Sequence, residues 1–351
     1  MNSAVTLALT PLGHLYGVGV RARRALYGSG RLRVHKLGVP VISVGNLTTG
    51  GTGKTPLVEW IARELAGNGA RVCILTRGYG RQNPGARAVV SDGKEILSDA
   101  TEAGDEPLLL ADALKGLAAV ISDADRVAAA GWAIDNLNSE VFVLDDGFQH
   151  LRVARDLNIL TIDAANPWGN RKLLPAGILR ESPAELARAN CIVITRADDA
   201  NAVEKLRSEI AARSHEIPIF SSLMRFSGIR EVRGQLVQSS IVEKEIKGSR
   251  ISAFCGLGKP ESFFSLLRRA GYQLAYTEAF RDHHTYTQSD IDRVARKSVA
   301  RGAQILLTTA KDEVKLRSLA SRLPCYAVDI EIEIENEERF KALIAAATAS
   351  R

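Results

Sequence analysis

The strongest constraint on the fold is a rhythm of short apolar runs separated by helix-patterned stretches. The runs lie at residues 39–44, 71–75, 118–121, 141–144, 159–162 and 191–195. Runs of this length, rich in valine, isoleucine and leucine, read as strands buried on both faces of a parallel sheet, with crossover helices between them. Residues 88–90 and 95–97, turning at Asp92-Gly93, predict a small β-hairpin inserted in that layer. After Ile217 the texture changes. IFSSLMRFSGIREVRGQLVQ predicts short antiparallel strands turning at Arg233-Gly234, and a second strand–helix rhythm begins at residue 251, with strands near 273–276, 304–309 and 325–328. The expected architecture is α/β: a parallel sheet flanked by helices over residues 37–217, a β-hairpin linker at 218–240, and a smaller α/β domain at 241–351. With 351 residues, 46% of them hydrophobic, the chain has length for two cores.

Within that rhythm one junction carries chemistry. SVGNLTTGGTGKTPLVEW, residues 43–60, places Thr48, Thr49, Gly50, Gly51, Thr52, Gly53, Lys54 and Thr55 between a strand and an amphipathic helix. Glycines let successive backbone N–H groups turn toward an anion, and the helix N-terminus adds its positive end. In such a loop Lys54 reaches the β- and γ-phosphates and the Thr55 hydroxyl holds Mg²⁺. The strict G-x-x-x-x-G-K-[ST] pattern is missed by one residue, because Thr48 stands where its first glycine would be. The sheet is therefore expected to be of the P-loop NTPase kind, with ATP and Mg²⁺ bound at its carboxyl edge.

A metal-binding acid should emerge from a neighbouring buried strand. VFVLDDGFQH supplies Asp145 and Asp146 at that point, and strand ends of open α/β sheets converge on one crevice. Residue order leaves open which of the two ligates directly. VITRAD, residues 193–198, admits two readings: a base-recognition motif with Asp198 on the nucleobase, or an ordinary strand exit.

Charge and cysteine content exclude other classes. The net charge of +6 favours anionic partners, yet no basic run is interleaved with aromatics, so no nucleic acid is expected. The four cysteines (Cys73, Cys191, Cys255 and Cys325) have neither metal-ligand nor redox spacing and read as buried thiols. Residues 1–20 carry no charged side chain besides His14, and Arg21, Arg23 and Arg24 follow. A secretory signal has its positive charge first, whereas Pro11, Gly13, Gly17 and Gly19 dilute a spanning helix. An interfacial helix over residues 1–36, apolar at one end and basic at the other, is the expectation, against the alternative of a helix packed on the protein's own core.

Several motifs have no place in a generic ATPase: TRGYGR (76–81), GDEP (104–107), DDGFQH (145–150), NPWGN (166–170), LLPAGILRE (173–181), DHHTYT (282–287) and TTAKDEVK (308–315). Together with GNLTTGGTGKTP they resemble the tetraacyldisaccharide 4′-kinases of lipid A synthesis in Gram-negative bacteria, in the same order from about residue 10 to residue 320. The resemblance implies transfer of the ATP γ-phosphate to the 4′-hydroxyl of a tetraacyldisaccharide 1-phosphate, giving lipid IVA. It implies a site at the cytoplasmic face of the inner membrane, with the protein peripheral or shallowly inserted and no obligate protein partner. It places a catalytic pair at Asp105 and at His283 or His284, with His283 favoured. It also implies substrate contacts from Arg77, Tyr79, Gln149, His150, Asn170, Arg180 and Glu181. Guanidinium groups bind phosphate bidentately, so Arg81, Arg152 and Arg171 join Arg77 and Arg180 as candidate anion ligands. The competing class is a partitioning or switch ATPase with the loop K-G-G-x-G-K-T, but Thr49 stands where its leading lysine would be. A metallochaperone GTPase would need a His/Cys-rich tract, which is missing.

Overall fold

The computed structural model describes residues 3–213, 216–232, 246, 248–282 and 284–349. The chain divides into two compact units, Met1–Leu223 with Glu333–Arg351, and Met224–Ile332. In the first unit the strands are β1 (Val41–Asn46), β2 (Val72–Thr76), β3 (Ala88–Asp92), β4 (Ala118–Ser122), β5 (Val141–Asp145), β6 (Leu157–Asp163), β7 (Cys191–Thr195) and the start of β8 (Ile219–Glu231). They lie in the order β8-β7-β6-β1-β5-β2-β4-β3. Pairing is parallel except between β3 and β4. Strands β1, β2, β4, β5, β6 and β7 are buried along their whole length, which is why their sequences are continuous apolar runs instead of alternating ones. The expected hairpin is present: Ser91 bridges Ile96, and Leu97 N–H donates to Val90 O at 2.8 Å.

The helices of this unit are α1 (Ser3–Gly28), α2 (Lys54–Gly67), α3 (Ala100–Ala103), α4 (Asp105–Ala113), α5 (Arg126–Leu137) and α6 (Ala200–Ala211). One core gathers Val41, Leu75, Ile121, Phe142 and Ala129. The other gathers Leu47, Phe148, Leu160, Trp168, Ile192 and Leu206. Asp125 caps α5 by accepting from Val127 N–H and Ala128 N–H, and Asp199 caps α6 in the same way from Asn201 and Ala202.

The second unit carries β9 (Ile251–Cys255), β10 (Leu274–Ala279), β11 (Ile305–Thr309) and most of β12 (Cys325–Ile334), in the order β10-β9-β11-β12, with β9 parallel to β10 and β11, and β11 parallel to β12. Its helices are α7 (Pro260–Arg269), α8 (Gln288–Val299) and α9 (Ala310–Leu316). Thr287 and Asp290 form a reciprocal capping box at the start of α8.

Two boundaries differ from the sequence expectation. The first arm of the expected hairpin linker is a single 13-residue strand, β8, which begins parallel to β7. The turn at Arg233-Gly234 lies outside the described residues. The second difference is at the C-terminus, where residues 333–351 belong to the first unit. Helix α10 (Glu337–Ala349) buries Phe340 completely, with ring centroids 5.4 Å from Trp60 and 5.0 Å from Phe220. Its apolar spacing announces a helix but not the surface that receives it.

Candidate active site

Strand β1 lies between β5 and β6, and Val44 is level with Asp145. The loop after β1 and the Asp145-Asp146 pair after β5 therefore emerge side by side at the carboxyl edge of the sheet. Gly50 has φ +99° and Gly53 φ +74°, and Gly53 precedes the first residue of α2, so Lys54 and Thr55 open that helix. Among the threonines, Thr52 is structural. Its buried hydroxyl accepts from Asn46 Nδ2 at 2.9 Å and lies 3.1 Å from the Thr161 hydroxyl, while its carbonyl accepts from Thr195 Oγ1 at 2.7 Å. Thr48 bridges Leu179, and Thr49 N–H donates to Ile178 O at 2.7 Å, so LLPAGILRE props the loop from outside. Arg196 of VITRAD does the same from the other side, donating to Gly51 O at 2.8 Å and pairing with Asp163. Asp198 sits exposed beyond it, on the turn into α6.

Lys54 Nζ stands 3.4 Å from Asp146 Oδ1, and Arg180 Nη1 donates to Asp146 Oδ2 at 2.6 Å. Burial alone would raise the Asp146 pKa, but these two cations hold it below the usual carboxylate range. Asp145 is the reverse case. It is 3% exposed, and burial, then the Glu106 and Asp146 carboxylates, push it up to about 7 against the partial opposition of Lys54 and Arg126. Its side chain accepts a long bond, 3.4 Å from Thr76 Oγ1. Two carboxylates at a strand end next to the loop that leads to Thr55, one of them short of positive charge, are a donor set that suits Mg²⁺, which takes one or two protein carboxylates together with phosphate oxygens. Among the described residues no group of three or more His, Cys, Asp and Glu side chains is arranged as a self-sufficient metal cage.

The remaining expected residues divide into those near this edge and those committed elsewhere. Gln149 donates to Asn46 O at 2.9 Å and to Glu181 Oε2 at 3.2 Å. Glu181 is buried and also pairs with Arg188; burial raises its pKa although Arg188 opposes. His150 is half-buried among Arg126, Arg155, Arg152 and Arg23, and burial followed by those four cations holds it down to about 4. Arg77 is exposed, as is Tyr79, at 78%. Asn170 is tied into its own turn, with Nδ2 donating to Ala176 O at 2.9 Å and Oδ1 accepting from Lys172 N–H at 3.2 Å. Arg152 pairs with Asp125 and Arg171 with Glu209. Arg81, grouped with the anion ligands on sequence, is 4% exposed, and its guanidinium donates to two backbone carbonyls. Asp105 opens α4, half-buried. His283 lies outside the described residues. His284 is committed within the second unit, 3.2 Å from Asp290 Oδ2 and stacked on Phe280 with centroids 4.7 Å apart.

Sequence reasoning missed Arg126. It is 4% exposed, 3.4 Å from the Asp145 carbonyl, with Nε lacking a hydrogen-bond partner among the described residues. A signal was available: an arginine in the first turn of a helix opposes the helix dipole, and such a local violation often marks a functional site. The ion pairs of Arg188 with Glu181 and Glu185 were also invisible, since they join side chains whose spacing fits no motif.

Helix α1 touches the body through Gly13 and Gly17, one turn apart. A Cβ at Gly13 would lie 3.2 Å from Leu173 O, and one at Gly17 would lie 2.6 Å from Leu173 Cδ1. Lys172 Nζ donates to Thr10 Oγ1 at 2.9 Å, Arg23 donates to Gln149 O at 3.1 Å, and Arg24 pairs with Glu185. Part of the basic end thus fastens the helix. Leu7 and Leu15 remain 73% and 69% exposed, with Leu12 and Val18 also open. No helix among the described residues is long and apolar enough to cross a membrane. Cys73, Cys191 and Cys255 are buried thiols as expected, while Cys325 is half-buried; burial pushes Cys73, Cys255 and Cys325 up to about 12.

A glycine-rich loop between a central parallel strand and a helix, with a lysine at its end facing paired aspartates on the next strand, defines a protein of the P-loop α/β class. Known proteins narrow that class. The family described as LpxK, tetraacyldisaccharide-1-P 4′-kinase, matches residues 5–349. The tetraacyldisaccharide 4′-kinase of Geobacter metallireducens is 42% identical over 345 residues, covering 98% of each chain. That of Geobacter sulfurreducens is 42% identical over 319 residues, covering 91% of this chain and 86% of its own. The crystal structure of LpxK from Aquifex aeolicus in complex with ATP superposes with a TM-score of 0.79 at 33% identity, covering 98% of this chain and 99% of that one. The chain belongs to the tetraacyldisaccharide 4′-kinase family.

Proposed function

We infer that this protein transfers the γ-phosphoryl group of ATP to the 4′-hydroxyl of a tetraacyldisaccharide 1-phosphate, with Mg²⁺. The observation that carries the reading is the meeting of the 50–55 loop with Asp145 and Asp146 on adjacent strand ends, in a chain of this family whose Aquifex relative was solved with ATP. The loop N–H groups and the α2 N-terminus bind the phosphates, and Lys54 meets charge growing on the transferring group. Thr55 and one of Asp145 and Asp146 would hold the metal, which would offset negative charge on the phosphates. Arg180 and Lys54 fix Asp146 in place, so this carboxylate enters the reaction already oriented. Asp105 takes the proton of the acceptor hydroxyl. A loose phosphoryl-transfer transition state requires positioning more than a strong base, so a carboxylate suffices.

The acceptor carries acyl chains, which fits the open apolar side chains of α1. A solvent-facing row of Leu7, Leu12, Leu15 and Val18 on a helix held to the body by two glycines is suited to lie in a lipid interface. We assign the protein to the cytoplasmic face of the inner membrane, where ATP and the anionic leaflet are both available.

The test follows label from [γ-³²P]ATP with purified protein, Mg²⁺ and either the lipid disaccharide 1-phosphate in detergent or water alone. Label on the lipid is expected. Release of inorganic phosphate at one rate with or without lipid, and no lipid product, would replace the kinase by an ATPase.

A further inference from the structure

The TRGYGR turn is built against the segment that leads into α4. Gly78 has φ +66°, and a Cβ there would lie 1.8 Å from Ser122 Oγ and 2.9 Å from Ala103 O, so the turn approaches as closely as backbone allows. Ser122, at the end of β4 and fully buried, donates its hydroxyl to Ala103 O at 3.0 Å. Its own carbonyl accepts from Arg81 Nη1 at 2.7 Å, and Arg81 Nη2 donates to Pro84 O at 2.7 Å. Gly104, at φ +90°, lies against the Tyr79 carbonyl, which a Cβ would approach to 2.9 Å. Of the two residues that precede Asp105, Ala103 is thus held by Ser122 and approached by the turn at Gly78, and Gly104 packs against the turn at Tyr79.

A packed loop does not need this chemistry. Burying a guanidinium carries a desolvation penalty, and an apolar side chain of similar volume would hold a turn at least as stably. Arg81 leaves its buried Nε without a hydrogen-bond partner among the described residues, so the arrangement is not optimised for stability. What an arginine fork offers is direction, since it pins two carbonyls at fixed angles.

We propose that Ser122 and Arg81 are positioning residues for Asp105: the Arg81 guanidinium fixes the Ser122 carbonyl, the Ser122 hydroxyl fixes the Ala103 carbonyl, and the carboxylate two residues on is held where the acceptor hydroxyl arrives. The proposal rests on the reading that Asp105 accepts that proton. A misplacement near 1 Å is enough to cost about a hundredfold in rate, so small movements of this turn matter.

The experiment measures kcat and both KM values for lipid phosphorylation in Ser122→Ala, Arg81→Met and Arg81→Lys, each alone and in an Asp105→Ala background. Ser122→Ala is expected to lower kcat roughly tenfold to a hundredfold, with KM for ATP nearly unchanged. Arg81→Met is expected to do the same, and Arg81→Lys not to restore it, because an ammonium does not reproduce the planar fork. In the Asp105→Ala background Ser122→Ala should add less than about twofold, because residues acting through one group are not additive. Wild-type kcat in Ser122→Ala, or a loss that persists in full without Asp105, overturns the proposal. Ser122→Ala removes a single oxygen, so it carries the test if Arg81→Met does not fold. Full turnover in Asp105→Ala itself would instead overturn the assignment of Asp105, and the positioning role with it.

Discussion

Asp146 is held from both sides: Lys54 Nζ lies 3.4 Å from one carboxylate oxygen and Arg180 Nη1 2.6 Å from the other. The lysine of the phosphate loop and the arginine of LLPAGILRE, 126 positions apart, thus meet on one acid.

Lys54→Ala should lower kcat by roughly 10²–10³-fold, the usual loss when one preorganised donor to transition-state charge is removed. Lys54 opens α2 and belongs to neither apolar core of the first unit, so the far-UV circular dichroism should be unchanged. A folded mutant with near-normal turnover would remove the phosphate-loop role.

Asp145→Ala and Asp146→Ala should separate by their response to Mg²⁺ and by a second effect. Loss of a direct ligand raises the Mg²⁺ concentration needed for half-maximal rate. Loss of Asp146 also releases Lys54 and Arg180, so it should raise KM for ATP in addition. A Mg²⁺ dependence like wild type in both variants would take metal binding away from this pair.

Removing residues 1–20 should move the protein from vesicle-bound to free in a flotation assay with anionic liposomes, and raise KM for lipid substrate but not for ATP. Helix α1 touches the body at few points, chiefly Gly13, Gly17 and its three polar contacts, so the truncated protein should keep cooperative unfolding. Unfolding of the truncated protein at 25 °C would mean that α1 is part of the core.

His150 predicts an acid-side loss of stability. Its ordinary pKa is about 6.5, and in the folded chain it is held down to about 4. Between those values the unfolded chain binds a proton that the folded chain refuses, so stability rises with pH across that window. The contribution is complete above pH about 6.5 and is lost as pH falls toward 4. Urea midpoints at intervals through this range should fall on acidification, and His150→Gln should flatten the slope. An unchanged slope would mean that carboxylates alone produce it.

Much of the site was legible because its chemistry is local. A glycine loop that turns N–H groups toward an anion needs Gly50, Gly53, Lys54 and Thr55 in one short segment, and a strand that ends in acid at Asp145 is contiguous too. Backbone geometry imposes these spacings, so they can be read without neighbours. The strands were legible for a similar reason, since burial on both faces leaves continuous apolar runs. Arg81 shows the limit. Its type and motif pointed to phosphate, and only packing against Ser122 turned it inward. Arg126, Arg188 and Glu185 became part of the site surroundings through contacts between segments that share no periodicity.

The buried strands of the first unit, the phosphate loop, the acidic strand end and the family were determined by the amino-acid sequence itself, because each depends on residues adjacent in the chain or on an ordered set of motifs. Tertiary structure decided the rest: that α10 returns to the first unit, that Asp146 is clamped by Lys54 and Arg180, and that Asp145 is pushed up to about 7 while His150 is held down to about 4. The physical reason is that burial and Coulomb interaction depend on distances through space, and one-dimensional order does not specify which distant side chains will be brought within a few ångströms.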